Sequence, residues 1–210
     1  MHLDLTARPI DRALVVCSGS SAAGIDWQAV PEHVPIIAVN TTITSLPRAE
    51  YWLSCDPPTI DWIRPEMLPH GCQVVTTKTA AKVPGAWCVP VAAVPDQCVF
   101  AFRGFDWDGA LPGIDSGFAA INLAAVLGAR RIAVVGLDGG GQKPADYWHP
   151  RPQIPLVPIP DDGRPSHLAA PLAAEQCRER GIEVRNGSPE SRVAAWPRCT
   201  PAEAIDWVAR

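Results

Sequence analysis

The chain has 210 residues, 47% of them hydrophobic, which is enough apolar material to build the core of one domain. Its net charge is −4 with Lys and Arg scattered along the chain, and this argues against a broad electrostatic grip on nucleic acid. No apolar run approaches the ~18 residues that a membrane helix needs, and MHLDLTARPIDRA lacks a basic stretch leading into an apolar one, so a single soluble, cytoplasmic domain over 1–210 is expected.

Ala13 to Cys17 is a short continuous apolar run, the pattern of a strand covered on both faces. It leads straight into Ser18, Gly19, Ser20 and Ser21, small residues that let backbone N–H groups approach an anion closely. Such a turn after a first strand is where open α/β sheets hold nucleotides, but Ser-Gly-Ser-Ser without a full G-x-G-x-x-G is equally an ordinary loop. Residues 25–30 read as a turn or two of helix before Pro31. A second strand over 35–39 ends at Asn40, which either offers a polar group to a nucleoside or caps the next short helix.

Glu50 to Cys55 is a third strand, stopped by Asp56-Pro57-Pro58, so Asp56 falls at a strand's carboxyl end. Thr59 to Met67 reads as a short helix with Trp62 on its buried side. Weaker strands follow at 73–77 and 87–91. Between Pro95 and Gly113 there is no clear period, but Phe100, Phe102, Phe105 and Trp107 make an aromatic patch that is either core under a loop or the floor of a pocket.

Asp115 to Asp138 carries the clearest pattern in the chain. Asp115 or Ser116 caps a helix that is apolar from Phe118 to Leu127 except at Asn122; Gly128 stops it, and Ile132 to Gly136 forms the next strand. Asp138 then stands at the root of a glycine-rich exit. The Pro-rich segment over 139–165, with Tyr147, Trp148, His149 and Arg151, is long enough to form a lid beside the sheet's functional edge. A helix from Ser166 to about Arg180, a strand at 182–185 and a closing helix from Pro201 to Ala209 complete the chain. The repeated strand, polar turn and helix predict an α/β fold, a Rossmann-like parallel-rich sheet with helices on both faces.

The seven cysteines form no C-x-x-C pair and have no His at zinc-finger spacing, so they are expected to be reduced and mostly buried. Asp56, Asp115 and Asp138 are the acids placed to hold Mg²⁺ if any are, with helix capping as their alternative role.

Five segments together resemble the bacterial lipooligosaccharide sialyltransferases and the related 6-hydroxymethylpterin diphosphokinases, including short phage-borne relatives. They are LVVCSGSSAAGIDWQAVP, IIAVNTTI, AEYWLSCDP, IDSGFAAINLAAVLGARRIAVVGLD and GIEVRNGSPESRVAAWP. They follow the same order along most of the chain, while 60–112 and 139–180 match poorly. The resemblance implies a glycosyltransferase acting on a CMP-type nucleotide-sugar donor. In that reading Ser18, Gly19, Ser20, Ser21, Ser116 and Gly117 hold the nucleotide phosphate, and Asn40 contacts the nucleoside. The catalytic base is a loop histidine, assigned to His149 in preference to His167, with Tyr147 and Arg151 beside it. Related transferases often assemble, so a homo-oligomer is a further expectation.

Two departures from the family's pattern bear on chemistry. The first turn is Cys-Ser-Gly-Ser-Ser where the family has Gly-x-Gly-Pro-Ser, and Asp115 precedes the Ser-Gly pair. A carboxylate there repels phosphate unless Mg²⁺ or a basic group lies between them. The alternatives are therefore a Mg²⁺-dependent diphosphokinase, or a domain that binds a nucleotide or sugar without turning it over.

Overall fold

Strands with no polar alternation need cover on both faces, and the sheet provides it. The computed structural model describes residues 9–76, 86–88, 115–140, 147–150, 154 and 165–210. Seven strands appear there: β1 (Arg12–Val16), β2 (Ile36–Val39), β3 (Tyr51–Ser54), β4 (Gln73–Thr76), β5 (Trp87–Cys88), β6 (Arg131–Val135) and β7 (Glu183–Asn186). They form one sheet in the order β5-β4-β3-β2-β1-β6-β7, and every pairing is parallel.

The order reverses at β1. Strands β2 to β5 build outward on one side, then the chain returns to lay β6 on the other, with Val15 level with Ile37 and Val134. In sheets of this class the carboxyl ends of the two strands beside such a reversal are where ligands bind. The architecture is the expected α/β Rossmann-like one.

Successive strand residues point to opposite faces, so each strand feeds two cores. Val15, Ile37, Leu53 and Val134 pack under α2 (Ser116–Val126), with Trp196 and the buried part of α3 (Pro165–Glu179) alongside. Leu14, Ile36, Trp52 and Val135 face the other way, against Ile60 of α1 (Pro57–Trp62) and Ala204 and Val208 of α4 (Pro201–Ala209). α2 is buried from Ser116 to Ala124, which explains why its sequence shows no polar face. Gly128 ends it in the left-handed region at φ +109°.

Three local expectations are corrected. The helix read over Thr59–Met67 begins at Pro57, because proline suits the first helical turn, and ends at Trp62. Arg64 precedes Pro65 and is held extended, so 65–67 forms a separate 3₁₀ turn. Trp62 is only half-buried; Ile60 and Ile63 take the buried side. Of the strand expected at 87–91 the structure describes 87–88. The aromatic patch at 100–107 and most of the Pro-rich segment at 139–165 lie outside the described residues.

Among the described residues no helix is long and apolar enough to cross a membrane. Cys17, Cys55, Cys72, Cys177 and Cys199 are all free thiols.

Candidate functional site

The turn after β1 leans on the exit of β6. Cys17 N donates to the Val135 carbonyl at 2.8 Å and Gly19 N to the Gly136 carbonyl at 2.9 Å, which extends the parallel pairing past the strand ends. Asp138 follows in the β6 exit, and its main-chain carbonyl accepts from Arg192 N at 2.9 Å. A Cβ on Gly19 would lie 2.5 Å from both the Asp138 carboxyl carbon and the Gly136 carbonyl oxygen, so only glycine permits this approach.

The Asp138 carboxylate sits on the donors of the first turn. It accepts from Ser21 N at 3.1 Å, from the Ser20 hydroxyl at 3.5 Å and from the Ser21 hydroxyl. Ser21 Oγ lies 2.6 Å from Ser188 Oγ, which links the turn to the loop after β7. Two of the residues assigned to a phosphate, Ser20 and Ser21, thus hold a carboxylate supplied by the chain itself, while the Gly19 N–H is taken by Gly136.

The start of α2 follows the same pattern. Asp115 has the extended backbone of an N-cap, and its Oδ1 accepts from Gly117 N at 2.7 Å and Phe118 N at 3.3 Å. Ser116 Oγ accepts from Cys55 N at 3.1 Å and ties the helix start to the end of β3. Asp56 turns to its own helix, accepting from the Thr59 hydroxyl at 2.5 Å. Among the described residues no three His, Cys, Asp or Glu side chains converge as a metal site, so the three aspartates do not form one cluster. The Cys17 thiol is pushed up chiefly by burial, then by the Asp115 and Asp138 charges, which brings both carboxylates to bear on the end of β1.

At the end of β2, Asn40 is a non-glycine residue in the left-handed region, at φ +55°. Its carbonyl accepts the Trp52 indole N–H at 2.6 Å, and its Oδ1 accepts from Ser54 Oγ at 2.8 Å. Asn40 does not cap the next turn, because it is the first residue inside the 3₁₀ turn Asn40–Ser45, whose cap position is Val39, and its Oδ1 is taken by Ser54. Such conformations persist where surrounding bonds enforce them, and they concentrate at binding sites.

The segment 147–150 is fastened across the first turn. Tyr147 bridges Gly19 in antiparallel fashion. Trp148 donates its N–H to the Ser18 carbonyl at 3.2 Å and its indole N–H to the Cys17 carbonyl at 2.8 Å. Its ring packs on Trp27 with centroids 4.9 Å apart. His149 is thereby buried at 5% exposure, with Nδ1 3.1 Å from the Pro150 carbonyl and Nε2 3.5 Å from Thr41 Oγ1. A carbonyl oxygen can only accept, so Nδ1 carries the proton in the neutral ring and Nε2 is the basic nitrogen.

The structure therefore draws Ser18 to Ser21, Asn40, Asp115 to Gly117, Asp138, Tyr147 and His149 to the carboxyl ends of β1, β2 and β6 and the start of α2. Asp56 stands further along the same edge, at the end of β3. Arg151 and the side chain of His167 lie outside the described residues. Sequence reading missed Thr41, Ser54 and Ser188. All three had a usable signal, because each closes or follows a strand on the functional edge, although the contact of Ser188 with Ser21 arises only through tertiary packing. No family of proteins, no curated protein and no solved structure matches this chain.

Proposed function

We propose that this edge binds a nucleotide-activated sugar, CMP-type, and transfers the glycosyl group to an acceptor hydroxyl, in the manner of the sialyltransferases that the sequence resembles. The supporting observation is the placement of His149, whose basic Nε2 faces Thr41 beside the left-handed Asn40. In this reaction Nε2 takes the acceptor's proton, and the acceptor oxygen forms a bond to the anomeric carbon. The bond from that carbon to the phosphate oxygen breaks, and the phosphate leaves with the electron pair. Asn40 reads the nucleoside, and a substrate hydroxyl replaces the long contact from Thr41.

A second reading, Mg²⁺-dependent diphosphate transfer, is favoured by one observation of its own. Carboxylates lie on both anion-binding features, Asp138 on the first turn and Asp115 on α2, and a phosphate escorted by Mg²⁺ tolerates such neighbours better than a bare one.

Thermal-shift measurements with CMP, CMP-sialic acid and ATP, each with and without Mg²⁺, separate the two. Metal-independent stabilisation by CMP, with glycosyl transfer lost in a folded His149→Gln variant, supports the transferase. Stabilisation by ATP only with Mg²⁺ supports the diphosphokinase. A chain stabilised by none of these ligands overturns both.

A further inference from the structure

We propose that Asp138 is an internal occupant of the first-turn anion pocket and decides which ligand groups that turn accepts. The inference rests on the nucleotide-site reading above and refines it, because it moves the phosphate away from the turn that the sequence assigns to it. The geometry carries it. One carboxylate collects a backbone N–H and two hydroxyls from Ser20 and Ser21, which are the donors a phosphate at this turn would use.

Neither partner is loosely held. The Asp138 carbonyl is fixed by Arg192 N, and the preceding Leu137 carbonyl accepts from Ser191 Oγ at 2.5 Å. On the other side, Ser21 is held by Ser188 and Gly19 by the Gly136 carbonyl. The absence of a side chain at Gly19 is what admits the carboxylate, since a Cβ there would overlap it. A phosphate entering this turn must displace a carboxylate that is already bonded, and must do so without being repelled by it. With Asp138 in place, the turn excludes phosphate, and a donor's charged group lies outside it.

The test reads the backbone amides of Gly19 and Ser21 by two-dimensional NMR while inorganic phosphate is added without Mg²⁺ to wild type and to Asp138→Ala. The expected result is no response of Ser21 in wild type and a saturable shift in Asp138→Ala. The apparent affinity of the variant for phosphate should exceed that of wild type by at least on the order of tenfold, the worth of a single charge-assisted hydrogen bond. Asp138→Asn, which keeps the shape and removes the charge, replaces the alanine variant if that one does not fold. Equal responses in wild type and variant overturn the proposal, and so does a folded variant whose Ser21 amide ignores phosphate. CMP is titrated into the same samples as a separate arm, reading Asn40 and His149. If CMP moves neither, the transferase reading fails while the phosphate comparison still decides the role of Asp138.

Discussion

Trp148 donates its indole N–H to the carbonyl oxygen of Cys17 at 2.8 Å, and this bond pins the segment that carries His149 to the residue that follows β1. Trp148→Phe removes the donor while keeping a ring against Trp27. The loss of one partly buried hydrogen bond should destabilise the fold by about 1 kcal/mol. The more informative readout is the reactivity of the His149 ring toward a histidine-specific reagent, which should rise as the segment loosens and the buried ring is exposed. Unchanged His149 reactivity in a destabilised variant would show that Tyr147 and the backbone bond to Ser18 suffice to hold the segment.

Gly19→Ala tests the contact between the first turn and the β6 exit. The new Cβ would fall 2.5 Å from Asp138 and from the Gly136 carbonyl, and one of those neighbours is backbone. Overpacking of this kind costs about 1–3 kcal/mol, measurable by chemical denaturation. Combining it with Asp138→Ala should recover only part of that loss, because the Gly136 carbonyl remains in the way. Full recovery would mean that the backbone yields and the side chain alone sets the constraint.

Much of this arrangement was legible beforehand, for reasons that differ by element. α2 and β6 could be read because a capped helix, apolar after its first turn except at Asn122, followed by a glycine stop and a β-branched run has few alternative folds. Parallel strands such as β2 announce themselves by composition alone. The functions of the polar residues were less accessible. Ser20 and Ser21 have the chemistry of a phosphate turn, but which anion they hold depends on Asp138, which lies far along the chain and meets them only after β6 is laid beside β1. His149 was selected for its neighbours in sequence, whereas its pairing with Thr41, just past β2, is set only by the fold. Asn40 looked equally like a cap or a ligand group, and its left-handed backbone cannot be read from one sequence.

The thiols give a pH dependence with a definite sign. Burial pushes Cys72 and Cys177 from an ordinary value of 9.0 up to about 12, and Cys55 likewise, against an opposing hydrogen bond from Ser116. A group whose folded pKa exceeds its unfolded value contributes stability that is fully present below the unfolded pKa. That contribution is lost as the pH rises toward the folded pKa. The midpoint of chemical denaturation should therefore fall as the pH is raised from 9.0 toward about 12. At neutral pH a thiol-specific reagent should label native Cys17 and Cys177, the two buried thiols, far more slowly than the denatured chain, after the half-buried Cys55, Cys72 and Cys199. Rapid native labelling of Cys17 would show that the end of β1 opens to solvent.

Asn40 separates backbone from recognition more cleanly than any other residue on the edge. At φ +55° an alanine is strained by roughly 1 kcal/mol relative to a residue that tolerates this region. It also leaves Ser54 Oγ without its acceptor at Oδ1. Glycine at the same position removes the strain but supplies no amide. Asn40→Ala should accordingly be less stable than Asn40→Gly, as read by thermal denaturation. If the amide recognises the nucleoside, both variants should lose CMP binding to the same degree, because both lack that group. If Asn40→Gly keeps wild-type affinity, the role of Asn40 is to turn the chain into Thr41 and Thr42, and nucleoside recognition must be sought in other groups along the edge.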